Sequence, residues 1–247
     1  MTSHGTALIT GAATGIGRAC AERLAQEGFA IVACYRSRRQ ETGNLLRQLP
    51  GSGHRALQAD VADPAQAAAL VADSLSEGGP LDVLVNAAGL FTRQELLSGD
   101  YEEWTRRWTE SLGANLLGPV NLARQAALQM TEQGHGTIIN ISSRGAFRGE
   151  PDAPAYGAAK SGLNSASQSL AVKLAPHGVR VFAIAPGWVD TPMAAGRIPA
   201  DVSEQIPLGR VGTPEEIADL VHYLATGRTD YLTGAIFDAN GASHLRN

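Results

Sequence analysis

Two residues in the segment PAYGAAK, Tyr156 and Lys160, have the chemistry of a proton-transfer pair. Their spacing of four places them one above the other on a helix face. A tyrosine, with an ordinary pKa of about 10, donates a proton readily but is a poor base at neutral pH. A cation beside it stabilises the phenolate, so the same group then works in both directions. The pair therefore predicts an acid–base group, and the small residues between its members leave room for ligands.

A glycine turn follows the first predicted strand, in the stretch TGAATGIG at 10–17. Glycines let the backbone approach a pyrophosphate closely, and the following helix presents unpaired N–H groups and its positive dipole end. An ordinary tight turn is the alternative, but the strand–turn–helix context favours phosphate binding. The predicted contacts are Gly11, Thr14, Gly15, Ile16 and Gly17.

The second predicted strand ends at Tyr35 and is followed by Arg36, Ser37, Arg38 and Arg39. Dinucleotide folds that select NAD usually carry an acidic residue here, which repels a 2′-phosphate. Three arginines near a helix start oppose its dipole by some tenths of a kcal/mol each, and a bound anion removes that penalty. The alternative is a solvated basic cluster without a ligand. We predict NADP(H) rather than NAD(H), with contacts at Tyr35, Arg36 and Ser37. Arg36 is the leading ligand of the 2′-phosphate, and either Arg38 or Arg39 assists it.

The elements that position these residues alternate between short β-like runs and longer helical patterns. Strands are predicted over 6–10, 30–35, 54–60, 81–89, 136–142, 179–186 and 234–239, and helices over 15–28, 38–49, 64–77, 101–133, 154–175 and 214–226. Strands without polar alternation fit a parallel sheet buried on both faces. The pattern predicts a Rossmann-type, doubly wound α/β sheet of about seven strands with helices on both faces. No linker divides the chain, so we expect one NADP(H)-binding domain over 1–247, with a substrate loop or lid at about 188–208.

Composition argues against several classes of protein. The 247-residue chain has a formal net charge of −4, with no global basic bias, which disfavours nucleic acid and anionic membranes as partners. No apolar run approaches the roughly 20 residues that span a bilayer, and the N-terminal residues lack the apolar core of a signal peptide. We therefore expect a cytoplasmic protein. Its six histidines form no paired spacing, so no metal site is predicted, and its two cysteines are expected to be packed and reduced.

Further segments make the chain resemble the short-chain dehydrogenase/reductase family. Asp60 and Val61 follow the third predicted strand, and NAAG at 86–89 differs from the family's NNAG by one alanine. Together with the glycine turn and the YxxxK pair, these motifs occur in family order at family spacing over essentially the whole chain. The resemblance implies cofactor contacts at Asp60, Val61, Asn86, Ala87, Ala88, Gly89, Tyr156, Lys160, Pro186, Gly187, Val189 and Thr191.

The resemblance also implies a catalytic set of Asn115, Ser143, Tyr156 and Lys160. Ser143 lies thirteen residues before Tyr156 and would hydrogen-bond the substrate oxygen. Ser142 is its rival, but neighbouring side chains on a strand point to opposite faces, and family spacing selects Ser143. Asn115 would link Lys160 to solvent through its backbone and a bound water. The alternative for Asn115 is an asparagine inside a helix that satisfies its own backbone.

The reaction implied by the resemblance is NADP(H)-dependent interconversion of a ketone or aldehyde and an alcohol, with tyrosine as acid and base. One alternative is 3-oxoacyl-[acyl-carrier-protein] reduction in fatty-acid synthesis, although 124–136 has only one arginine where a basic docking cluster is expected. The other alternative is a non-catalytic NADP(H)-binding sensor, which would be expected to lose part of the serine, tyrosine and lysine set.

The substrate pocket is expected from the segments after Ser143 and after Pro186. Arg144 and Arg148 would contact an acidic substrate, or else face solvent as loop arginines commonly do. The second segment contributes three large apolar residues, Trp188, Met193 and Ile198. The substrate is thus predicted to be a small carbonyl compound or alcohol.

A homotetramer is implied by the resemblance. The expected interfaces are the helices at 101–133 and 154–175 and the last strand. The tail GASHLRN, at 241–247, continues past that strand and is placed to reach a neighbouring subunit.

Overall fold

The computed structural model describes residues 5–75, 79–199 and 201–246. Within them the strands are β1 (Thr6–Thr10), β2 (Ala30–Tyr35), β3 (Arg55–Gln58), β4 (Leu81–Asn86), β5 (Gly136–Ile141), β6 (Val179–Pro186) and β7 (Ile236–Ala239). They form a parallel seven-stranded sheet in the order β3-β2-β1-β4-β5-β6-β7. This confirms the predicted doubly wound α/β fold. The predicted third strand is shortened at both ends because, at the sheet edge, it pairs with β2 over four residues only.

The helices are α1 (Gly15–Gln26), α2 (Arg39–Gln48), α3 (Pro64–Ser74), α4 (Tyr101–Leu112), α5 (Gly118–Gln133), α6 (Pro154–Leu174), α7 (Val202–Gln205) and α8 (Pro214–Ala225). The predicted helix at 101–133 is divided by a π-helical turn, Gly113–Leu117. The N–H of Gly118 donates to the carbonyl of Gly113, five residues back, and Pro119 has no N–H with which to restore the α-helical pattern. The predicted end of α3, at 77, lies outside the described residues.

Two apolar layers cover the faces of the sheet. On one face β1, β4 and β6 pack against α1, α2 and α8 through residues such as Ile9, Leu24 and Val221. On the other face residues including Leu8, Leu122 and Leu174 pack with α3, α5 and α6. The central strands are almost wholly buried because helices cover both faces, as their unbroken apolar runs predicted. No helix in the described ranges is both long and apolar enough to cross a membrane.

The strand order reverses between β1 and β4, which creates a crevice at the carboxyl ends of the strands. Thr10, the last residue of β1, fixes the two sides of this crevice. Its hydroxyl accepts hydrogen bonds from the backbone N–H groups of Ala87 (3.1 Å) and Ala88 (3.0 Å). The turn after β4 is therefore held beside the turn after β1, where a ligand would lie in an open α/β sheet.

Candidate active site

A cleft of about 480 Å³ lies at the carboxyl ends of the strands. It is the place where the fold brings together most of the residues predicted from the sequence. Those that line it are Gly11, Thr14, Gly15, Ile16, Gly17, Tyr35, Arg36, Ser37, Asp60, Val61, Ala87, Ala88, Gly89, Ser143, Tyr156, Lys160, Pro186, Gly187, Val189 and Thr191. Four predicted residues, Arg39, Asn86, Asn115 and Ile198, do not line the cleft.

The turn between β1 and α1 exposes backbone to the cleft. Gly11 and Gly15 have φ of 67° and 55°, in the left-handed region that side chains disfavour. A methyl group on Gly17 would overlap the carbonyl oxygen of Gly11. Thr14 is the N-cap of α1, and its side chain makes no capping hydrogen bond. The first N–H groups of α1 are thus without a side-chain cap, and the turn fits a pyrophosphate at a helix N-terminus.

Basic residues follow β2 at the far end of the cleft. Arg36 and Arg38 both line it, whereas Arg39 does not. The Arg36 guanidinium lies 3.8 Å from the Asp60 carboxylate, and the Arg36 side chain remains largely exposed. Such an exposed pair contributes little to stability, so Arg36 is available to a ligand phosphate. Arg38 also has an acidic neighbour, Glu41, at 3.4 Å.

Asn86 has a structural position rather than a position on the cleft wall. Its side-chain nitrogen donates to the side-chain oxygen of Asn140 (2.8 Å) and to the carbonyl of Pro119 (3.2 Å). The amide therefore ties the ends of β4 and β5 to the start of α5. Asn86 is buried and is the last paired residue of β4, and its contact with a cofactor stays a prediction.

Ser143 and Tyr156 meet at the middle of the cleft. Burial among the cleft walls raises the pKa of the Tyr156 phenol, while a hydrogen bond with the Ser143 side chain opposes that effect. The rival residue, Ser142, is buried and donates to the carbonyl of Lys160 at 3.4 Å. Its hydroxyl is thereby engaged with α6. The geometry places Ser143, as the family spacing implied, beside the phenol.

Lys160 lies one helical turn beyond Tyr156 and is only 4% exposed. Its ammonium nitrogen donates to the carbonyl of Ile141 (2.8 Å) and lies 5.8 Å from the centre of the Tyr156 ring. Burial lowers the pKa of Lys160 to about 8. A cation at Lys160 is predicted to lower the pKa of Tyr156. In the structure the pKa of Tyr156 is raised, because burial outweighs the groups that lower it.

Asn115 is fully buried in the π-helical turn behind the cleft. Its side chain bonds both backbone groups of Leu90, donating to the carbonyl (2.7 Å) and accepting from the N–H (3.0 Å). It also donates to the carbonyl of Ser111 at 3.0 Å, which is the backbone contact considered as its alternative role. Gly89 separates it from the lysine: a Cβ there would lie 3.1 Å from Asn115 Oδ1 and 3.9 Å from Lys160 Nζ.

The substrate end of the cleft contains residues that sequence reasoning missed. The Phe91 ring packs 5.1 Å from the Tyr156 ring, and the Arg197 guanidinium lies 4.6 Å from the centre of the Phe91 ring. Glu150 also lines the cleft, and burial raises the pKa of its carboxyl. Phe91 follows the NAAG turn by two residues, and that position was the available signal. Nothing in the local sequence marks Glu150 or Arg197.

The predicted substrate segment at 188–208 closes one side of the cleft, and residue 200 lies outside the described residues. Val189 pairs with Gly212 and anchors the segment at its base. Trp188 and Met193 line the cleft as expected, whereas Ile198 does not. Elsewhere in the described ranges, no cluster of three or more His, Cys, Asp or Glu side chains is arranged to hold a metal ion, and both cysteines are buried and free.

Comparison with known proteins gives the family. The family model described as Enoyl-(Acyl carrier protein) reductase matches residues 11–244. A 3-oxoacyl-[acyl-carrier-protein] reductase of Staphylococcus aureus is 35% identical over 245 residues, covering 97% of this chain and 98% of that protein. The chain belongs to the short-chain dehydrogenase/reductase family. The predicted resemblance is confirmed, and the chain is an oxidoreductase of this family.

Two other members of the family are similar to the chain over almost its full length. A cis-4-hydroxycyclohexanecarboxylate dehydrogenase of Sinomonas cyclohexanicum is 37% identical and covers 95% of this chain and 94% of that protein. A solved short-chain type dehydrogenase/reductase from Mycobacterium marinum superposes with a TM-score of 0.89 at 31% identity, covering 99% of this chain and 97% of that chain.

Proposed function

We propose that this protein is an NADP(H)-dependent short-chain dehydrogenase/reductase that interconverts a small ketone or aldehyde and an alcohol. The observation that carries the proposal is that Ser143, Tyr156 and Lys160 line one cleft, with Lys160 Nζ 5.8 Å from the centre of the Tyr156 ring. These three groups lie on the same cleft as the glycine turn. The complete set argues against a non-catalytic sensor.

The cleft fits a nicotinamide dinucleotide. The backbone turn at Gly11, Gly15 and Gly17 would hold the pyrophosphate, since side chains there would fill the space. The cofactor would supply or accept the hydride. Thr191 packs against this turn, with its methyl group 3.1 Å from the Cβ position of Gly15, so the nicotinamide segment and the phosphate turn share one wall.

Proton transfer is assigned to the Tyr156 phenol. Because its pKa is raised, the phenol is neutral at neutral pH and can donate its proton to the oxygen of a carbonyl substrate. The Ser143 hydroxyl would hold that oxygen beside the phenol. Lys160, with a pKa of about 8, carries its proton at neutral pH and provides positive charge beneath the tyrosine ring. Asn115 would connect Lys160 to solvent through its backbone and a water, as the family resemblance implies.

NADP(H) is favoured over NAD(H) by the position of Arg36. Its guanidinium lines the cleft after β2, where an NAD-selective fold would present an acidic residue. Tyr35 and Ser37 line the same wall. An arginine here offers a planar set of donors to a 2′-phosphate.

Two relatives indicate the substrate range. One is named a 3-oxoacyl-[acyl-carrier-protein] reductase and the other a cis-4-hydroxycyclohexanecarboxylate dehydrogenase. The first relative keeps reduction of a carrier-bound substrate as a candidate beside reduction of a free small molecule. Comparing kcat/KM for acetoacetyl thioesters on carrier protein and on coenzyme A distinguishes these two possibilities, because only a docked carrier protein would raise kcat/KM for the carrier-bound form.

Assembly as a homotetramer in the cytoplasm extends the proposal. Large apolar side chains are exposed on the predicted interface helices, among them Leu117 and Leu128 at and beyond the π-helical turn and Val172 on α6. Their burial between subunits would remove apolar surface from water. Size-exclusion chromatography with light scattering should give about four times the 25.8 kDa of one chain.

The test of the proposed function is Tyr156→Phe, which removes only the phenolic oxygen. Reduction of a broad carbonyl panel with NADPH should fall by at least about 1000-fold, because the proton donor is lost. NADPH binding, followed by fluorescence, should stay within about threefold. Tyr101→Phe is the matched control, since that tyrosine is exposed and does not line the cleft. A wild-type protein that binds NADPH but turns over no carbonyl or alcohol would favour the sensor.

A further inference from the structure

Arg144 is an arginine buried at the substrate end of the cleft. It follows Ser143 directly, lines the cleft and is only 7% exposed. Guanidinium groups are always charged, and they are almost never buried without a partner that offsets their lost hydration. The partners of Arg144 therefore indicate what else this part of the cleft is built to bind.

The protein supplies Arg144 with only part of what its charge requires. Its Nη1 donates to the hydroxyl of Ser243 (2.7 Å), and its guanidinium lies 5.9 Å from the centre of the Trp188 ring. No carboxylate of the described residues comes within ion-pair distance of it. Burial, followed by repulsion from Arg148, lowers its pKa, and Glu150 only partly opposes them.

Arg180 shows how the same fold treats a partly buried arginine elsewhere. It lies outside the cleft and has Asp230 at 3.4 Å and the Thr137 hydroxyl at 2.6 Å. Arg144 is the more buried of the two, yet it has no such acid. Unlike Arg180, Arg144 lines the cleft, where a bound ligand could partner it.

The charges around the substrate end of the cleft also favour an anionic ligand. Three arginines, Arg144, Arg148 and Arg197, line it together with a single carboxyl, that of Glu150. Arg197 makes no side-chain hydrogen bond or ion pair within the described ranges, and its contact is the Phe91 ring. A substrate with a negative charge would be attracted to this end of the cleft.

We propose that the natural substrate carries a carboxylate in addition to its carbonyl or hydroxyl group, and that Arg144 binds this carboxylate. The inference rests on the proposed function. With Nη1 engaged by Ser243, the Nε and Nη2 edge of the guanidinium remains, and two parallel N–H groups match one carboxylate.

Ser243 is the positioning residue for this contact. It belongs to the C-terminal tail, whose described residues pack against their own chain. Arg246 bonds Asp238 (2.7 Å) and lies 4.2 Å from the centre of the Phe147 ring. These contacts fix the tail against the loop that carries Arg144, so that Ser243 holds one edge of the guanidinium.

The experiment compares keto acids with their methyl esters, using acetoacetate, levulinate and 4-oxocyclohexanecarboxylate and NADPH. The wild-type enzyme should prefer at least one acid over its ester by about 10- to 100-fold in kcat/KM. Arg144→Gln should lower this acid-to-ester ratio by a similar factor, mainly through KM. If Arg144 had a purely structural role, the substitution would lower kcat/KM equally for the acid and its ester. Ser243→Ala should lower the ratio less, and Arg93→Gln, an exposed arginine outside the cleft, should leave it unchanged.

Each outcome decides between the two proposals. Turnover of the esters without an acid preference overturns the carboxylate site and leaves the proposed function standing. If the enzyme prefers dihydroxyacetone phosphate over dihydroxyacetone and prefers no acid over its ester, the bound group is a phosphate. That result overturns the assignment of Arg144 to a carboxylate. If no carbonyl is reduced, the proposed function fails. The carboxylate site then survives only on binding evidence. In the wild type the acid must raise the melting temperature of the NADP⁺ complex more than its methyl ester does, and this difference must be absent in Arg144→Gln.

Discussion

The two ends of the cleft differ in the parts of the chain that form them. The cofactor end consists mainly of backbone and small residues, such as Gly11, Gly17 and the Ala87–Gly89 turn. The substrate end consists of long side chains on separate loops, including Arg144, Phe91 and others. A dinucleotide is common to many proteins and can be bound by a standard backbone geometry, whereas a particular substrate needs particular side chains. Substitutions that act differently at the two ends test this comparison.

The largest effect is expected from Gly17→Ala. The new methyl group would overlap the Gly11 carbonyl oxygen, so the backbone of the turn that is proposed to bind the pyrophosphate must move. We expect the affinity for NADPH to fall by more than about 100-fold and the free energy of unfolding to fall by about 1–3 kcal/mol. Fluorescence titration and urea unfolding measure the two quantities.

Gly43→Ala on α2 is the control for this substitution. A Cβ at Gly43 approaches only the end of the Arg47 side chain, at 3.8 Å. Since alanine is the better helix former, we expect the free energy of unfolding to rise by about 0.5–1 kcal/mol, with NADPH binding unchanged. Wild-type NADPH affinity in Gly17→Ala would mean that the cofactor does not bind on this turn.

Arg36→Glu tests the one long side chain on which cofactor choice is proposed to depend. Charge reversal should lower kcat/KM for NADPH by about 30- to 100-fold, because the 2′-phosphate would then meet a carboxylate, while NADH should lose little. Arg39→Glu is the matched control, since Arg39 follows in the same basic run but does not line the cleft. Equal losses for both cofactors would show that Arg36 supports the fold rather than selecting the phosphate.

Lys160→Met tests the group that lies between the two ends. Because burial lowers the pKa of Lys160 from 10.5 to about 8, the folded state disfavours its charged form. The unfolded state binds more protons between pH 8 and 10.5, so this group makes wild-type stability rise with pH across that window. At pH 7 the variant has no buried charge, so its free energy of unfolding should be about 1–3 kcal/mol higher than that of the wild type. It should also lose most of its activity.

The control for this change is Lys173→Met, which removes the exposed lysine of the same helix. Its free energy of unfolding, measured in urea at pH 7 and pH 9.5, should stay within about 0.5 kcal/mol of wild type. A destabilised Lys160→Met protein at pH 7 would mean that the hydrogen bond to Ile141 outweighs the cost of burying the charge.

The same contrast explains what could be predicted from the sequence. The glycine turn was predictable because its requirement is local: the clash of a side chain at Gly17 involves a carbonyl six residues away. The tyrosine and lysine were predictable from their helical spacing. Arg144 depends on Ser243, which is 99 residues away, and no local pattern reports such a contact. The motif around Asn86 gives its place at the strand end but not the contacts of its side chain, which reach Asn140 and Pro119.

The smallest effect is expected from Glu150→Gln at the substrate end. Glu150 is half-buried, and its negative charge raises the pKa of Tyr156. The neutral variant should therefore have a lower Tyr156 pKa and should oxidise an alcohol with NADP⁺ about two- to threefold faster at pH 8, because more of the phenol is ionised.

Burial also raises the pKa of Glu150 itself, although Arg148 and Arg144 oppose this. The rates of variant and wild type should thus converge as the pH falls and Glu150 becomes protonated. Glu95→Gln, at an exposed glutamate that does not line the cleft, should leave the pH profile unchanged. A profile of Glu150→Gln shifted to higher pH would contradict the assigned direction.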